Sequence, residues 1–250
     1  MFLQTKELVL EFVEDGKLRS LRCELRKSKR ARRINLRLKS TGFALLTFPS
    51  RMAWAKAEKF LMEQKEWLGR KSQQFPAPIS MQNYFEGGGK ICLGPSMVER
   101  EVSLSFYEYT DRPLISLENQ QIGIRVPRSG QEGEMIKLAC RKLAYQFLPG
   151  WLEWAENYAG LYSKKLRIGD QRTRWGSCSP KGTLSLNWRI ILLPQELGSY
   201  VIFHELAHLA QMNHSPKFWQ KLEEFVPDAR AVDRKLTKDG KVIFSLGRSG

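Results

Sequence analysis

All three histidines of this 250-residue chain lie close together, in the stretch HELAHLAQMNH. His204 and His208 are four residues apart, so on a helix they stand one turn from each other, with their β-carbons about 5–6 Å apart. That separation lets one nitrogen from each ring reach the same metal ion at about 2.0–2.1 Å. Three histidines placed at random over the chain would show this spacing roughly once in 10,000 arrangements, so the pattern predicts a metal site.

His214 must be brought back to the other two histidines by a bend, because a continuing helix would carry it more than a turn away from them. Asn213 tolerates the left-handed conformation that often ends a helix, and Pro216 suits the first turn of a new one. The sequence NHSP therefore predicts the end of one helix, a third histidine ligand and the start of the next helix. A glutamate ligand, Glu223 or Glu224, is the alternative, and it would leave His214 without a role.

Three neutral imidazoles leave a zinc ion with an open fourth position, which is the arrangement of a catalytic site. The ion lowers the pKa of a bound water to about 7 and polarises the bond under attack. Glu205 is adjacent to a ligand and is not needed as one, so it is the natural general base. These residues predict a zinc-dependent metallohydrolase with one divalent ion per chain on His204, His208 and His214, although three histidines also suit other divalent metals.

The spacing HExxHxxxxxH also occurs in the metzincin proteases, which have a glycine between the second and third histidines and a methionine turn further along the chain. Gln211 replaces that glycine here, and no methionine follows Met212. These two differences argue against the metzincin class.

The residues before the histidines predict strands followed by a buried helix. The segments LRIGDQRTRW and TLSLNWRIIL have the composition of strands, and Pro194 suits the first turn of a helix over about 195–212. That helix is apolar on nearly every face, which indicates that it is buried. A longer helical pattern runs from about 135 to 165, where Pro149 and Gly150 predict a break or a kink.

The first part of the chain reads as antiparallel strands. Asp15-Gly16 predicts one hairpin, and Thr41-Gly42 follows the strand RINLRLK, which has one apolar and one basic face. A helix is expected over about 51–74 after Ser50, and short strands continue to about 127. The pattern becomes helical at 129–134, so we expect an α+β fold with a β-rich N-terminal domain at 1–128 and a metal-binding domain at 129–250.

Composition limits the classes of function that the chain can have. No apolar stretch approaches the length of a membrane span, the N-terminus has no secretory signal pattern, and the four cysteines form no CxxC pair. We therefore expect a cytoplasmic protein with reduced thiols and no membrane contact. The net charge of +15 favours nucleotide or nucleic-acid partners as much as a simple solvated surface.

The residues RWGSCSPKGTLSLNWRIILLP and YVIFHELAHLAQMNHSPKFW resemble the YgjP-like metallopeptidase family, a group of small zincins. The motif is specific, because RWGSC, LNWR, HELAH and NHSPKFW occur in order at close spacing, and the resemblance is closest over 174–227. A looser similarity extends towards the N-terminus through RKSKRARRINLRLKS and FEGGGKICLG. The chain is similar more distantly to SprT-like proteases, which act near DNA.

The resemblance implies a zincin-like catalytic domain in which zinc lies on His204, His208 and His214. It further implies a metallopeptidase in which zinc-bound water, activated by Glu205, attacks a peptide carbonyl. Because some members of the family carry a nucleotide pyrophosphatase label, a metal-dependent nucleoside triphosphate pyrophosphatase is the first alternative. A nucleic-acid-associated zinc protein, bound through the basic strand face at about 26–39, is the second alternative.

Three further features are candidates for contact with a substrate. Arg174 is a candidate for stabilising an oxyanion or a phosphate, and Tyr200, one turn before His204, is a candidate donor in the transition state. In zincins a strand beside the metal receives an extended peptide, and the segment 183–188 is the expected strand here.

Overall fold

The structure is a computed structural model that describes residues 4–14, 17–38, 43–72, 79–95, 99–108, 112–118, 120–171 and 173–247. The described residues form two compact units, one made of residues 4–72 and the other of Ile79–Gly247. Both units combine helices with sheets, which confirms the predicted α+β class.

The first unit contains, among its described residues, strands β1 (Thr5–Glu14), β2 (Lys17–Ser28), β3 (Asn35–Leu38) and β4 (Ala44–Pro49) and helices α1 (Trp54–Glu63) and α2 (Lys65–Ser72). The sheet order is β1-β2-β4-β3. The β1–β2 and β3–β4 pairs are antiparallel, as predicted, whereas the turns expected at Asp15-Gly16 and Thr41-Gly42 lie outside the described residues. The central pair, β2–β4, is parallel, which the hairpin patterns did not predict.

The core of the first unit follows from alternation along its strands. Alternate side chains are buried over 21–25 of β2 and 44–48 of β4, and Leu61 and Leu68 of the two helices pack into the same core. The predicted helix over 51–74 is divided, because α1 begins at Trp54 and α2 begins after Gln64. Ser50 precedes the first helix by several residues and does not cap it.

The second unit contains, among its described residues, α3 (Met81–Glu86), β5 (Lys90–Ile91), β6 (Arg100–Tyr107), β7 (Leu114–Glu118), β8 (Gln121–Pro127), α4 (Glu132–Ala159), β9 (Lys165–Gly169), β10 (Gly176–Cys178), β11 (Thr183–Asn187), a 3-10 helix (Trp188–Leu192), α5 (Gln195–Ala210), α6 (Pro216–Glu223) and α7 (Ala229–Ser245). Its strands form a sheet in the order β5-β6-β8-β7 and a second sheet in the order β10-β11-β9.

The predicted domain boundary between 128 and 129 falls inside the second unit. Inward residues of β8, such as Ile122 and Val126, belong to the same apolar core as Leu143 of α4 and Leu206 of α5. Because β8 packs directly against α4, the change from strands to helices marks a change of layer within one core and does not separate two cores. The compact units divide about fifty residues earlier in the chain.

Of the predicted break or kink at Pro149, the break does not occur, since helix α4 continues through the proline. Its buried face includes Leu148, Trp151 and Leu152 on either side of the proline, so tertiary packing holds the helix together where local preference opposes it. The helix ends at Gly160, which has the left-handed φ of 63° that favours glycine.

Helix α5 is enclosed by the second unit, as its apolar composition predicts. Ten of its residues are buried, and α4, α6, α7 and β10 pack around it. Gly198 allows its closest approach to α4, because a β-carbon there would lie 2.5 Å from the indole of Trp151. Among the described helices, none is both long and apolar enough to cross a membrane.

Candidate metal centre

The structure brings the three histidines of the HExxH stretch together around one point. The ring centroids of His204, His208 and His214 lie 4.8–5.1 Å apart, and one nitrogen from each ring lies within 4.8 Å of the others. The Nε2 atoms of His204 and His214 are 3.0 Å apart. A tetrahedral zinc site with bonds of about 2.0–2.1 Å needs ligand nitrogens about 3.3 Å apart, so the three rings suit such an ion.

His214 reaches the other rings because α5 ends just before it. Helix α5 stops at Ala210, and Gln211 is extended, with φ −140° and ψ 102°. Ser215 then precedes Pro216, which opens α6 at its first turn as predicted. Asn213 was expected to be left-handed, which is wrong, since Asp228 is the non-glycine residue with positive φ among the described residues.

Phe218 of α6 supports the three rings from within the core. It is fully buried, and its ring centroid lies 4.6–5.0 Å from each of the histidine rings. Trp219 packs beside it and lies 6.3 Å from His214. The helix that follows the third histidine therefore holds the histidine rings in position.

A backbone hydrogen bond sets the protonation of His208. Its Nδ1 lies 3.0 Å from the carbonyl oxygen of Gln211. Because a carbonyl oxygen only accepts hydrogen bonds, Nδ1 must carry the proton, and Nε2 keeps its lone pair. The residue that ends α5 thus prepares the other nitrogen of His208 for a metal ion.

The protonation of His204 depends on Tyr200 of the same helix and on Asp233 of α7. Tyr200 donates its hydroxyl proton to Oδ1 of Asp233 in α7, at 2.9 Å. Its oxygen lies 3.3 Å from Nδ1 of His204, so it can accept the Nδ1 proton and leave Nε2 unprotonated. Tyr200 is 1% exposed, and burial and Asp233 raise its pKa, so the phenol stays protonated.

Tyr200 therefore lies on the Nδ1 side of His204, away from the atoms that face His214. Its hydroxyl is already engaged by two partners and is enclosed by the core. This position favours a role in orienting the ligand over the predicted contact with a substrate. Asp233 was not found from the sequence, because nothing marks an aspartate 29 residues after His204 as a neighbour of Tyr200.

The two helical histidines are neutral at ordinary pH, as metal ligands must be. Burial, with the neighbouring His208 and His214 rings, lowers the pKa of His204 to about 3. Burial also lowers the pKa of His208, and the bond to Gln211 opposes this effect only in part. The rings thus offer lone pairs without first having to lose a proton.

Glu205, which follows His204 in α5, is buried, with 6% of its surface exposed. Burial raises its pKa to about 7, although the charge of Arg174 and the backbone amide of Cys178 both act to lower it. The side chain occupies the space left by the missing side chain of Gly176, where a β-carbon would come within 2.6–2.8 Å of its Cγ, Oε1 and Cδ atoms. The RWGSC motif therefore forms the wall against which the glutamate lies.

Arg174 is exposed on the loop before β10 and acts on Glu205 through its charge. In the part of the chain that the structure describes, no ion pair within 4.0 Å joins the two side chains. Asn187 fixes this loop by donating from Nδ2 to the backbone oxygens of Gln171 and Arg174, at 2.9 and 3.3 Å. The LNWR motif thus holds in place the loop that carries the arginine.

The strand predicted to receive a peptide is in the wrong place in the sheet. β11 is the central strand, since it pairs with β10 on one side and with β9 on the other. β11 therefore has no free edge with which the backbone of a peptide could pair. β10 stands at the end of the sheet, and its residues Gly176 and Cys178 adjoin Glu205.

The alternative glutamate ligands are exposed and do not belong to the cluster of ligand atoms. Glu223 and Glu224 lie at the end of α6, and Glu224 forms an ion pair with Lys221 at 2.7 Å. Among the described residues, the group able to hold a metal ion consists of His204, His208 and His214.

Comparison with known proteins adds two findings. A family model described as YgjP-like, metallopeptidase domain, matches residues 32–239. The crystal structure of the metallopeptidase zymogen of Pyrococcus abyssi abylysin is 33% identical over an alignment that covers 35% of this chain and 90% of that one, with a TM-score of 0.32. No curated protein matches the chain.

Proposed function

The chain belongs to the YgjP-like metallopeptidase family, and from that premise we propose that it is a zinc-dependent peptidase with zinc on His204, His208 and His214 and with Glu205 as the general base. The observation that carries the proposal is the convergence of three imidazole nitrogens together with the burial of Glu205, the residue next to His204 in α5. A buried carboxylate without a direct cationic partner is costly in a merely structural role.

Each residue of the site has a definable part in hydrolysis. When bound, zinc supplies Lewis acidity to a carbonyl oxygen and lowers the pKa of water towards about 7. The Glu205 carboxylate accepts a proton from the attacking water and returns it to the departing amine nitrogen as the peptide bond breaks. A pKa of about 7 suits both transfers at neutral pH, because neither the acid nor the base form is scarce.

An extended peptide is the substrate that the surroundings of Glu205 support best. β10 ends its sheet beside Glu205, so a substrate strand that pairs with its free edge would bring a peptide carbonyl close to the carboxylate. Arg174 is exposed on the loop that precedes β10, and we propose that it stabilises the negative charge that develops on the carbonyl oxygen.

The substitution Glu205→Gln tests the general base. We expect the variant to bind one zinc ion per chain and to lose at least about 100-fold in peptide hydrolysis, since the amide cannot accept a proton. Turnover of a peptide library and metal content by mass spectrometry are the measurements. Glu223→Gln is the matched control, and we expect it to change neither quantity, because Glu223 is exposed and away from the histidines.

The substitution His214→Ala tests the ligand set in the same assays. Loss of the third imidazole should lower the zinc content well below one ion per chain while the circular dichroism spectrum is retained, because His214 is exposed and carries little of the core. Purified protein without any bound divalent metal, or a Glu205→Gln variant as active as the unaltered enzyme, would overturn the proposal.

A nucleoside triphosphate is the second candidate substrate, and the exposed Arg174 is the observation that favours it, since guanidinium groups bind phosphate well. A panel of nucleoside triphosphates assayed beside the peptides separates the two. Metal-dependent pyrophosphate release that disappears in both Arg174→Gln and Glu205→Gln, together with inactivity on peptides, would favour the nucleotide.

A further inference from the structure

Positive charge is concentrated in the first unit, whereas the three histidines belong to the second. Residues 1–78 contain eighteen Lys or Arg against eight Asp or Glu, and they account for most of the net charge of +15. Residues 25–57 contain ten Lys or Arg and no acidic residue at all. Any carboxylate that neutralises a cation of this stretch must therefore come from outside it.

The structure separates the basic residues into paired and unpaired groups. On the sheet itself, Arg22 pairs with Glu7 at 2.6 Å and Arg26 pairs with Glu24 at 2.7 Å, so the charge of these two arginines of β2 is neutralised. The loop between β2 and β3 differs. Its cations are all exposed and, across the residues that the structure describes, have no ion-pair partner: Lys29, Arg30, Arg32 and Arg33.

The parallel pairing of β2 with β4 brings more charge to the same end of the sheet. Ser28 and Pro49 are opposite each other at the ends of the two strands, and the amide of Ser50 donates to the carbonyl of Ser28 at 3.1 Å. The exposed Arg51 therefore follows β4 at the end where the β2–β3 loop begins. Lys27 lies at this end as well, with its Nζ 5.3 Å from the centroid of the Trp54 ring.

The loop has a defined shape, because Ser28 caps it. The Oγ atom of Ser28 accepts hydrogen bonds from the amides of Arg30 and Ala31 at 3.2 and 3.3 Å. Ile34 packs into the core of the unit at the other end of the loop. The cations are thus presented on a backbone that is anchored at both ends.

We propose that this end of the first unit binds the phosphate backbone of nucleic acid. We name it the basic end, defined by Lys27, Lys29, Arg30, Arg32, Arg33 and Arg51. Four of the six are arginines, whose planar guanidinium groups bind phosphate oxygens in pairs. Binding depends on the release of counterions and does not read the base sequence.

The composition of the surface favours nucleic acid over an anionic membrane. Proteins that lie on membranes combine cations with exposed Trp, Phe or Leu that enter the lipid. Of the large apolar side chains that are exposed in the described residues, none lies between 25 and 57, and Trp54 is half-buried against Phe48. The basic end thus offers charge without an apolar anchor, which suits a polyanion in water.

The triple variant Arg30→Gln, Arg32→Gln and Arg33→Gln tests the basic end. Binding of fluorescent single-stranded RNA and duplex DNA is followed by anisotropy between about 50 and 200 mM salt. We expect the affinity to fall about tenfold or more, and the slope of log affinity against log salt to decrease by about 2–3.

The matched control removes three charges elsewhere in the same unit, at Lys59, Arg70 and Lys71, which are exposed and have no ion pair within the described residues. We expect this control to bind within about twofold of the unaltered protein, with a similar salt slope. Circular dichroism verifies that both variants are folded.

Three outcomes would overturn the proposal. One is equal weakening by the two triple variants, which would indicate an effect of net charge alone. Another is unaltered protein that fails to bind either nucleic acid at low salt. The third is binding to anionic phospholipid vesicles without binding to either nucleic acid. None of these measurements uses hydrolysis, so their result is independent of the metal centre.

Discussion

The protonation of His204 depends on a tyrosine and an aspartate that lie behind it. Asp233 accepts from the Tyr200 hydroxyl, and the Tyr200 oxygen is then free to accept from Nδ1 of His204. Such partners fix the orientation and the tautomer of a metal-binding histidine, and their loss typically lowers metal affinity by about 10–100-fold. We regard Tyr200 and Asp233 as positioning residues, because neither faces the centre of the three rings.

Tyr200→Phe and Asp233→Asn should both weaken zinc binding by about 10–100-fold, since His204 can then carry its proton on either nitrogen. Competition with a chelating dye measures the dissociation constant without any assay of hydrolysis. Tyr158→Phe is the matched control, because Tyr158 is 61% exposed and, among the described residues, its hydroxyl bonds to none of the histidines. Unchanged zinc affinity in the two positioning variants would contradict this role.

At the scale of elements, the distance between β10 and α5 is set by a glycine. A β-carbon on Gly176 would lie 2.6 Å from Cγ of Glu205, so the strand can approach the helix only without a side chain at this position. The same approach lets the amide of Cys178 bond to the carboxylate. The spacing of the two elements therefore determines where the Glu205 carboxylate lies.

Gly176→Ala should displace the Glu205 carboxylate and lower peptide hydrolysis by at least about tenfold, with zinc content retained because the histidines are untouched. Overpacking of this kind also costs about 1–3 kcal/mol of stability. Gly150→Ala is the control, since nothing lies within 4 Å of a β-carbon at that exposed helical position. Alanine there should leave activity unchanged and stabilise the protein by about 0.5–1 kcal/mol. An alanine variant at 176 with full activity would show that the spacing is not limiting.

At the scale of the whole molecule, the cysteines report on both cores. Cys23 lies in the core of the first unit, and Cys92 and Cys140 lie in that of the second. All four cysteines are free, and Cys178 alone among them is only half-buried. Burial raises the pKa of Cys23 and Cys92 to about 11 and also raises that of Cys140 and Cys178, so little thiolate is present at neutral pH.

A thiol reagent should therefore modify the native protein at Cys178 alone, and all four cysteines after unfolding. The rate at Cys178 should rise as the pH is raised from 7 to about 9, because its elevated pKa leaves the reactive thiolate scarce at the lower pH. Mass spectrometry of time points identifies the modified residue, and Cys178→Ser serves as the control. Equal rates at Cys23 or Cys92 would mean that a core opens readily.

The sequence predicted most of the candidate centre because its information is local. His204 and His208 are one helical turn apart regardless of where that helix lies in the fold. Pro216 predicts the start of the next helix because its fixed φ suits the first turn. The α+β class and both N-terminal strand pairs follow in the same way from short-range alternation and turn residues. Pro149 does not interrupt α4, because packing overrides its local preference. Asn213 is not left-handed, because the extended Gln211 ends α5 before it.

Only the tertiary structure decided which distant segments of the chain meet. Asp233 meets Tyr200 because α7 packs on α5, and Gly176 meets Glu205 because β10 does. β11 loses its free edge through pairing with β9, and β8 joins the core of α4, which moves the division of the chain from 128 to near 78. The sequence by itself determined which atoms could bind a metal, since that depends on residue type and helical period. Packing decided which histidine nitrogens carry the protons, which residues lie against Glu205, and which strand of the sheet has a free edge. These features depend on contacts that no local pattern encodes.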